Sequence, residues 1–188
     1  MTFYEHYLKE RIESFYHGSP YEFDTFDINK AGSGDGLNKF GYGLYFTDNE
    51  ELANFYASEL IGKGKERGYN IYEVQLRDQE NFYRWDEATP EDIYNKVIQS
   101  LENKGYESDA QEIKDDYESY GDRWTIDSLY QFLEAIFKDK KKVTQFLNKN
   151  GISGVIADDI DDRGTIYVAY ADNIIKIKDR WKMGKRND

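Results

Sequence analysis

Apolar positions along the chain change period several times, and each change marks an element. Residues 2–13 space Tyr4, Leu8 and Ile12 four apart, which predicts an amphipathic helix. Ser14–His17 reads as a short strand ending at Gly18. Residues 31–43 hold five glycines in thirteen positions and predict a loop. Leu44–Thr47 is the next strand, and Thr47-Asp48-Asn49-Glu50 has the form of a capping box that opens a helix. That helix carries Leu52, Phe55, Tyr56 and Leu60 as its apolar stripe. Ile71–Arg77 alternates, placing Tyr72, Val74 and Leu76 on one face of a strand.

From Thr89-Pro90 the period turns helical. Thr89 is the expected N-cap, Pro90 the first helical position, and Ile93, Val97 and Leu101 the buried face of a helix ending at Gly105. Residues 107–120 are acidic and weakly patterned. Thr125 starts a further helix through Leu129, Phe132, Leu133 and Ile136; Val143, Phe146 and Leu147 form another, stopped by Gly151. Three strand-like runs close the chain: Val155–Ala157, Ile166–Tyr170 and Ile174–Ile177, with an acidic turn at 158–164 between the first two. Strands at both ends with helices between them predict one α+β domain over 1–188, carrying a helical insertion at about 88–150.

Composition narrows the function. The 188 residues carry Lys+Arg 25 against Asp+Glu 37, a net charge of −12, which repels nucleic acid and anionic membranes. No cysteine is present and only two histidines, so neither a disulfide scaffold nor a zinc cluster is expected. The sequence has no apolar run of membrane-spanning length and no basic-then-apolar leader, so a cytoplasmic protein is expected. Aromatic residues reach 16% while mean hydropathy is −0.88. Tyr and Phe must therefore supply much of the core, each burying a large area.

Two segments carry candidate chemistry. In Phe15-Tyr16-His17-Gly18-Ser19-Pro20 an imidazole ends an apolar strand beside a glycine, where a ligand can approach the main chain. Taken alone, such a histidine is more often structural. In Phe40-Gly41-Tyr42-Gly43-Leu44-Tyr45-Phe46-Thr47 two alternate glycines precede a strand. This is no dinucleotide-fold fingerprint, because no third glycine opens the helix, and no phosphate loop, because Gly-Lys-Ser/Thr is missing.

Together with Ala53-Asn54-Phe55-Tyr56-Ala57 and the tail motifs Gly151–Val155 and Tyr167–Tyr170, these segments resemble the ADP-ribosyltransferase superfamily. The pattern is similar to its diphtheria-toxin and poly(ADP-ribose) polymerase branch with the His-Tyr-Glu signature, and to the transferase-like domains of phage polyvalent proteins. The resemblance implies a split β-sheet with an NAD cleft, NAD as substrate and a protein acceptor. It implies catalytic positions at His17, Tyr45 and Ile166. It implies NAD contacts from His17, Gly18, Ser19, Gly43, Tyr45 and Tyr56, and no metal. Tyr45 and Tyr56 would sandwich the nicotinamide, a cation suited to phenol rings. Lys30, Lys39 and the amides of Gly32–Gly36 are candidate phosphate contacts.

One position departs from that pattern. Ile166 stands where the family places its glutamate, and isoleucine neither carries charge nor accepts a hydrogen bond. Thr165 or an aspartate of the 158–162 turn, Asp158 or Asp159, are the local substitutes; such aspartates are more often a solvated turn. The leading expectation is a mono-ADP-ribosyltransferase of phage or toxin type, acting on a host protein in the host cytoplasm. The alternatives are an NAD- or ADP-ribose-binding module without catalysis, an acidic protein-interaction inhibitor, and an NAD hydrolase. Lys138-Asp139-Lys140-Lys141-Lys142, a basic cluster, speaks against nucleic-acid mimicry by the helices.

Overall fold

The computed structural model describes residues 14–31, 39–61, 68–159 and 161–183. The helix expected over 2–13 and the Gly32–Gly36 loop lie outside the described residues. Seven strands and five α-helices make up the regular structure among those that are described, an α+β fold.

The chain runs β1 (Phe15–Ser19), β2 (Leu44–Thr47), α1 (Glu50–Ile61), β3 (Tyr69–Leu76) and β4 (Phe82–Arg84). Four helices follow: α2 (Glu91–Glu102), α3 (Glu107–Tyr120), α4 (Ile126–Phe137) and α5 (Lys140–Lys149). The chain then returns to the sheet as β5 (Gly154–Asp158), β6 (Thr165–Ala169) and β7 (Ile175–Met183). Sheet order is β4-β5-β6-β2-β1-β3-β7. Only β4 and β5 run parallel; every other neighbour is antiparallel.

The sheet has a weak seam. β1 pairs with β3 at five positions, and β2 with β6 at four, but β1 meets β2 at Tyr16↔Thr47 alone. Two half-sheets, β4-β5-β6-β2 and β1-β3-β7, therefore join by a single rung. They also share an apolar core: Phe15, Tyr72, Val74 and Leu76 from one half pack with Leu44, Phe46 and Ala169 from the other. The Phe15 and Tyr167 rings meet edge to face at 4.7 Å. Burial of these large side chains, rather than ladder hydrogen bonds, holds the halves together.

A second core lies on the opposite face. Val155, Ala157, Ile166, Val168 and Tyr170 receive the inward stripes of α2, α4 and α5. Those stripes are the ones expected from the period: Ile93, Val97 and Leu101 on α2, Leu129 and Leu133 on α4, Val143 and Leu147 on α5. The acidic 107–120 stretch is also a helix, held by Ala110, Ile113 and a stacked Tyr94–Tyr117 pair.

Several local expectations change. Thr125 caps α4 as expected, with Ser128 as the reciprocal partner of the box, worth about 1 kcal/mol. Thr89 does not cap α2: Pro90 holds the cap position, and the Thr89 hydroxyl is buried. For α1 the cap is Asn49, whose Oδ1 accepts from the Glu51 N–H, while the Thr47 hydroxyl accepts from the Asn49 N–H. Thr47 is still part of β2, so the helix starts two residues later. The buried face of α1 is Leu52, Ala53 and Ala57, with Phe55 and Tyr56 turned outward. The reason is Gly18: a Cβ there would lie 2.3 Å from the Ala53 carbonyl oxygen and 2.5 Å from the Ala57 Cβ. α1 lies so close to β1 that only alanines fit beneath it.

Candidate active site

His17 sits at the seam. Its Nδ1 lies 2.8 Å from the Tyr45 carbonyl oxygen. A carbonyl only accepts, so Nδ1 carries the proton and donates. Burial pushes the imidazole below its ordinary pKa, opposed in part by this bond, so the ring is neutral at pH 7. Nε2 is then an acceptor, and no hydrogen bond from the described residues engages it. Phe23, Phe26, Phe46 and Tyr72 surround the ring at centroid distances of 5.2–6.4 Å.

Register places Gly18 opposite Tyr45 if the β1–β2 ladder continued, yet pairing stops at Tyr16↔Thr47. Beyond that rung the β2-facing edge of β1 has no strand partner among the described residues. Main-chain groups at Gly18 and Ser19 thus lie along an open edge, although the α-carbon side of Gly18 is filled by α1. Ser19 is buried, and its hydroxyl accepts from the Tyr21 N–H, turning the chain after the strand.

Three tyrosines hold the glycine loop before β2. The Tyr45 hydroxyl donates to the Gly41 carbonyl and accepts from the Phe40 N–H. The Tyr130 hydroxyl of α4 accepts from the Tyr42 N–H, and the Tyr42 hydroxyl donates to the Ile28 carbonyl. Burial raises the Tyr45 and Tyr130 phenols above their ordinary pKa, to about 12 for Tyr130. Gly41 is required at φ +93°, where its α-carbon lies against the Tyr130 ring. Gly43 faces Val168 and the Ala169 carbonyl, so its missing side chain serves the fit of β2 on β6. Both alternate glycines, including Gly43, which the resemblance implies as an NAD contact, are thus used in packing. Tyr130 gave no sign of this role in the sequence, since its position on α4 is that of an ordinary core residue.

On the helical face of the sheet, the 158–164 turn is docked on α1. The Asp48 carboxylate accepts from the Thr165 N–H at 3.0 Å, and the Asn49 amide donates to the Arg163 carbonyl at 2.7 Å. The Tyr56 hydroxyl donates to Asp159, whose other oxygen receives Arg163 Nε at 3.0 Å and the Asp161 N–H at 3.2 Å. Arg163 stacks over Phe55 at 4.1 Å and bonds Asp161 through Nη2 at 3.0 Å. Burial alone would raise the Asp159 pKa; the bonds from Tyr56 and Arg163 hold it below the ordinary carboxylate value. Tyr56 is pushed up to about 12 by burial and then by Asp159. The pair is therefore a neutral phenol donating to an ionised carboxylate.

The expected substitutes for a glutamate are separated by this arrangement. Asp158 points away and pairs with Arg84 at 2.7 Å. Asp159 is 4% exposed and adjoins Tyr56. Ile166 is 7% exposed in the helical core, between Thr47 of β2 and Ala157 of β5, and holds no polar group there. Of the expected phosphate contacts, Lys30 is exposed, and the Lys39 ammonium lies 5.1 Å from the Phe40 ring centre. No cluster of His, Asp and Glu suited to a metal exists among the described residues. No helix there is long and apolar enough to cross a membrane.

A family model described as ADP-ribosyltransferase in polyvalent proteins matches residues 11–180. The chain belongs to that family. No curated protein and no solved structure matches the chain. Membership agrees with the α+β sheet. The matched residues run from before β1 into β7 and include α2–α5.

Proposed function

We propose that this ADP-ribosyltransferase uses NAD and moves a single ADP-ribose unit to a protein acceptor, as a phage- or toxin-type effector in the host cytoplasm. The observation that carries the NAD reading is the seam. A neutral His17, oriented by the Tyr45 carbonyl, leaves Nε2 to accept from a ribose hydroxyl. The residues fit this substrate in two further ways. Open main chain at Gly18 suits a carboxamide, and the half-exposed Tyr56 ring, with a carboxylate behind its hydroxyl, suits a cationic nicotinamide.

In the reaction the bond from the ribose carbon to the nicotinamide nitrogen breaks, and its electron pair leaves with nicotinamide. The acceptor's lone pair closes on that carbon, and the acceptor proton passes to solvent. His17 and Tyr56 orient the substrate so that the two events align. Chain elongation is disfavoured, because Ile166 offers no group to grip a ribose hydroxyl.

The burial of Ile166 also favours a second reading, an NAD-binding module without turnover. Nicotinamide release from NAD, measured with and without a lysate of the host, separates them. Release that needs lysate supports transfer. Release without it supports hydrolysis or self-modification. Binding with no release supports the module.

A further inference from the structure

Asp159 is the one buried charged residue among the described residues. Such a carboxylate is costly unless compensated, and its partners show what it is held for. Arg163 does not neutralise the group fully, because the same guanidinium also serves Asp161. Two carboxylates share one cation, leaving a net charge of −1 behind the Tyr56 hydroxyl. The position is constrained from both sides. The Asp159 N–H donates to the Gly164 carbonyl, and Asp48 and Asn49 clamp the far end of the turn to the start of α1.

The register adds a second relation. Ala157 pairs with Ile166 and Asp158, the last residue of β5, with Thr165; one residue on, the Asp159 N–H bonds the Gly164 carbonyl opposite in the same register. Asp159 is thus the diagonal neighbour of Ile166, a step of roughly 7–8 Å in an antiparallel ladder. A carboxylate stands beside the position where the sheet presents only isoleucine. Both of its oxygens are engaged by protein groups, so it reaches a ligand only through Tyr56.

We propose that Asp159 is a positioning residue for the transfer reaction: acting through the Tyr56 hydroxyl, it directs negative charge at the nicotinamide–ribose end of the dinucleotide. This rests on the NAD reading given above. Loss of nicotinamide leaves positive charge on the ribose, and the oxidised ring is itself a cation. A phenol bonded to an ionised carboxylate keeps an electron-rich oxygen and ring toward that charge.

Binding of NAD, NADH and ADP-ribose to the full chain tests this without needing turnover, since NADH lacks the ring cation. Wild type is expected to prefer NAD over NADH. Asp159→Asn and Tyr56→Phe should each reduce that preference by roughly three- to tenfold, with ADP-ribose binding unchanged. The double variant should lose no more than either single one, because the two groups act as a unit. Tyr56→Phe keeps the ring in place if Asp159→Asn unfolds the turn, and thermal unfolding identifies that case. A preference unaltered by Tyr56→Phe overturns the role of Asp159 while leaving NAD binding intact. A wild-type chain that binds neither dinucleotide overturns the NAD reading, and this proposal falls with it.

Discussion

The imidazole of His17 reaches across from β1 to the main chain of Tyr45 in β2, 2.8 Å from nitrogen to oxygen, at the point where the two strands stop pairing. A side chain thus takes the place that a ladder bond would otherwise fill. The bond fixes the tautomer and leaves one nitrogen to accept.

His17→Ala should abolish nicotinamide release and weaken NAD binding, read by chromatography and calorimetry. Activity at wild-type level would remove His17 from the site.

The same residue sets a pH dependence. Its folded pKa lies below the ordinary 6.5, so between the two values the unfolded chain binds the extra proton. Stability from this group is fully present above 6.5 and declines as pH falls toward the lowered folded value. The melting temperature should drop from pH 7.5 to 5, and His17→Gln should flatten that slope. Equal slopes in both proteins would contradict the buried, neutral ring.

Gly18→Ala should cost about 1–3 kcal/mol, because the new methyl meets the backbone of α1 at Ala53 and must push the helix away. Denaturant unfolding reads this directly. A variant as stable as wild type would mean that α1 packs less closely than described.

Tyr56→Ala should raise the NAD dissociation constant about tenfold, the loss of roughly 1.4 kcal/mol of ring contact. It also strips Asp159 of its phenol donor, so some loss of stability should accompany it. Unchanged affinity would move the nicotinamide elsewhere.

Ile166→Glu places a carboxylate in the helical core. It should lower stability by roughly 2–4 kcal/mol, seen as a fall in melting temperature. If the side chain turns toward the seam, NAD hydrolysis should rise as well. A stable variant with no gain in hydrolysis would show that this strand position does not border the substrate.

Much of this architecture was readable from periodicity. β2 begins and ends at the expected residues, and the stripes of α2, α4 and α5 face the core, because long apolar repeats leave one solution. β4 went unseen: three residues on a parallel edge are too few for alternation to register. β7 runs past Ile177 to Met183 because backbone pairing with β3 tolerates Lys, Asp and Arg on an exposed edge. In the candidate site, His17, Gly18, Tyr45 and Tyr56 stood out as motif residues. The choice of Asp159 over Asp158 did not, since Asp158 ends β5 and Asp159 begins the turn against α1, a boundary that two adjacent aspartates do not mark in sequence. Arg163 gave one faint signal, its spacing of four from Asp159. The packing duty of Gly18, Gly41 and Gly43 was hidden, because a glycine's neighbours are set by tertiary contacts.

The single Tyr16↔Thr47 rung has a further consequence for motion. Two halves that share side-chain packing but only one backbone rung can act as separate cooperative units, each with its own opening free energy. Amide exchange should then report two populations of protection, one for the β1-β3-β7 leaf with α1 and one for the leaf that carries α2–α5. A substrate seated in the seam would contact both leaves at once. It would work as a bolt, slowing exchange in strands it never touches.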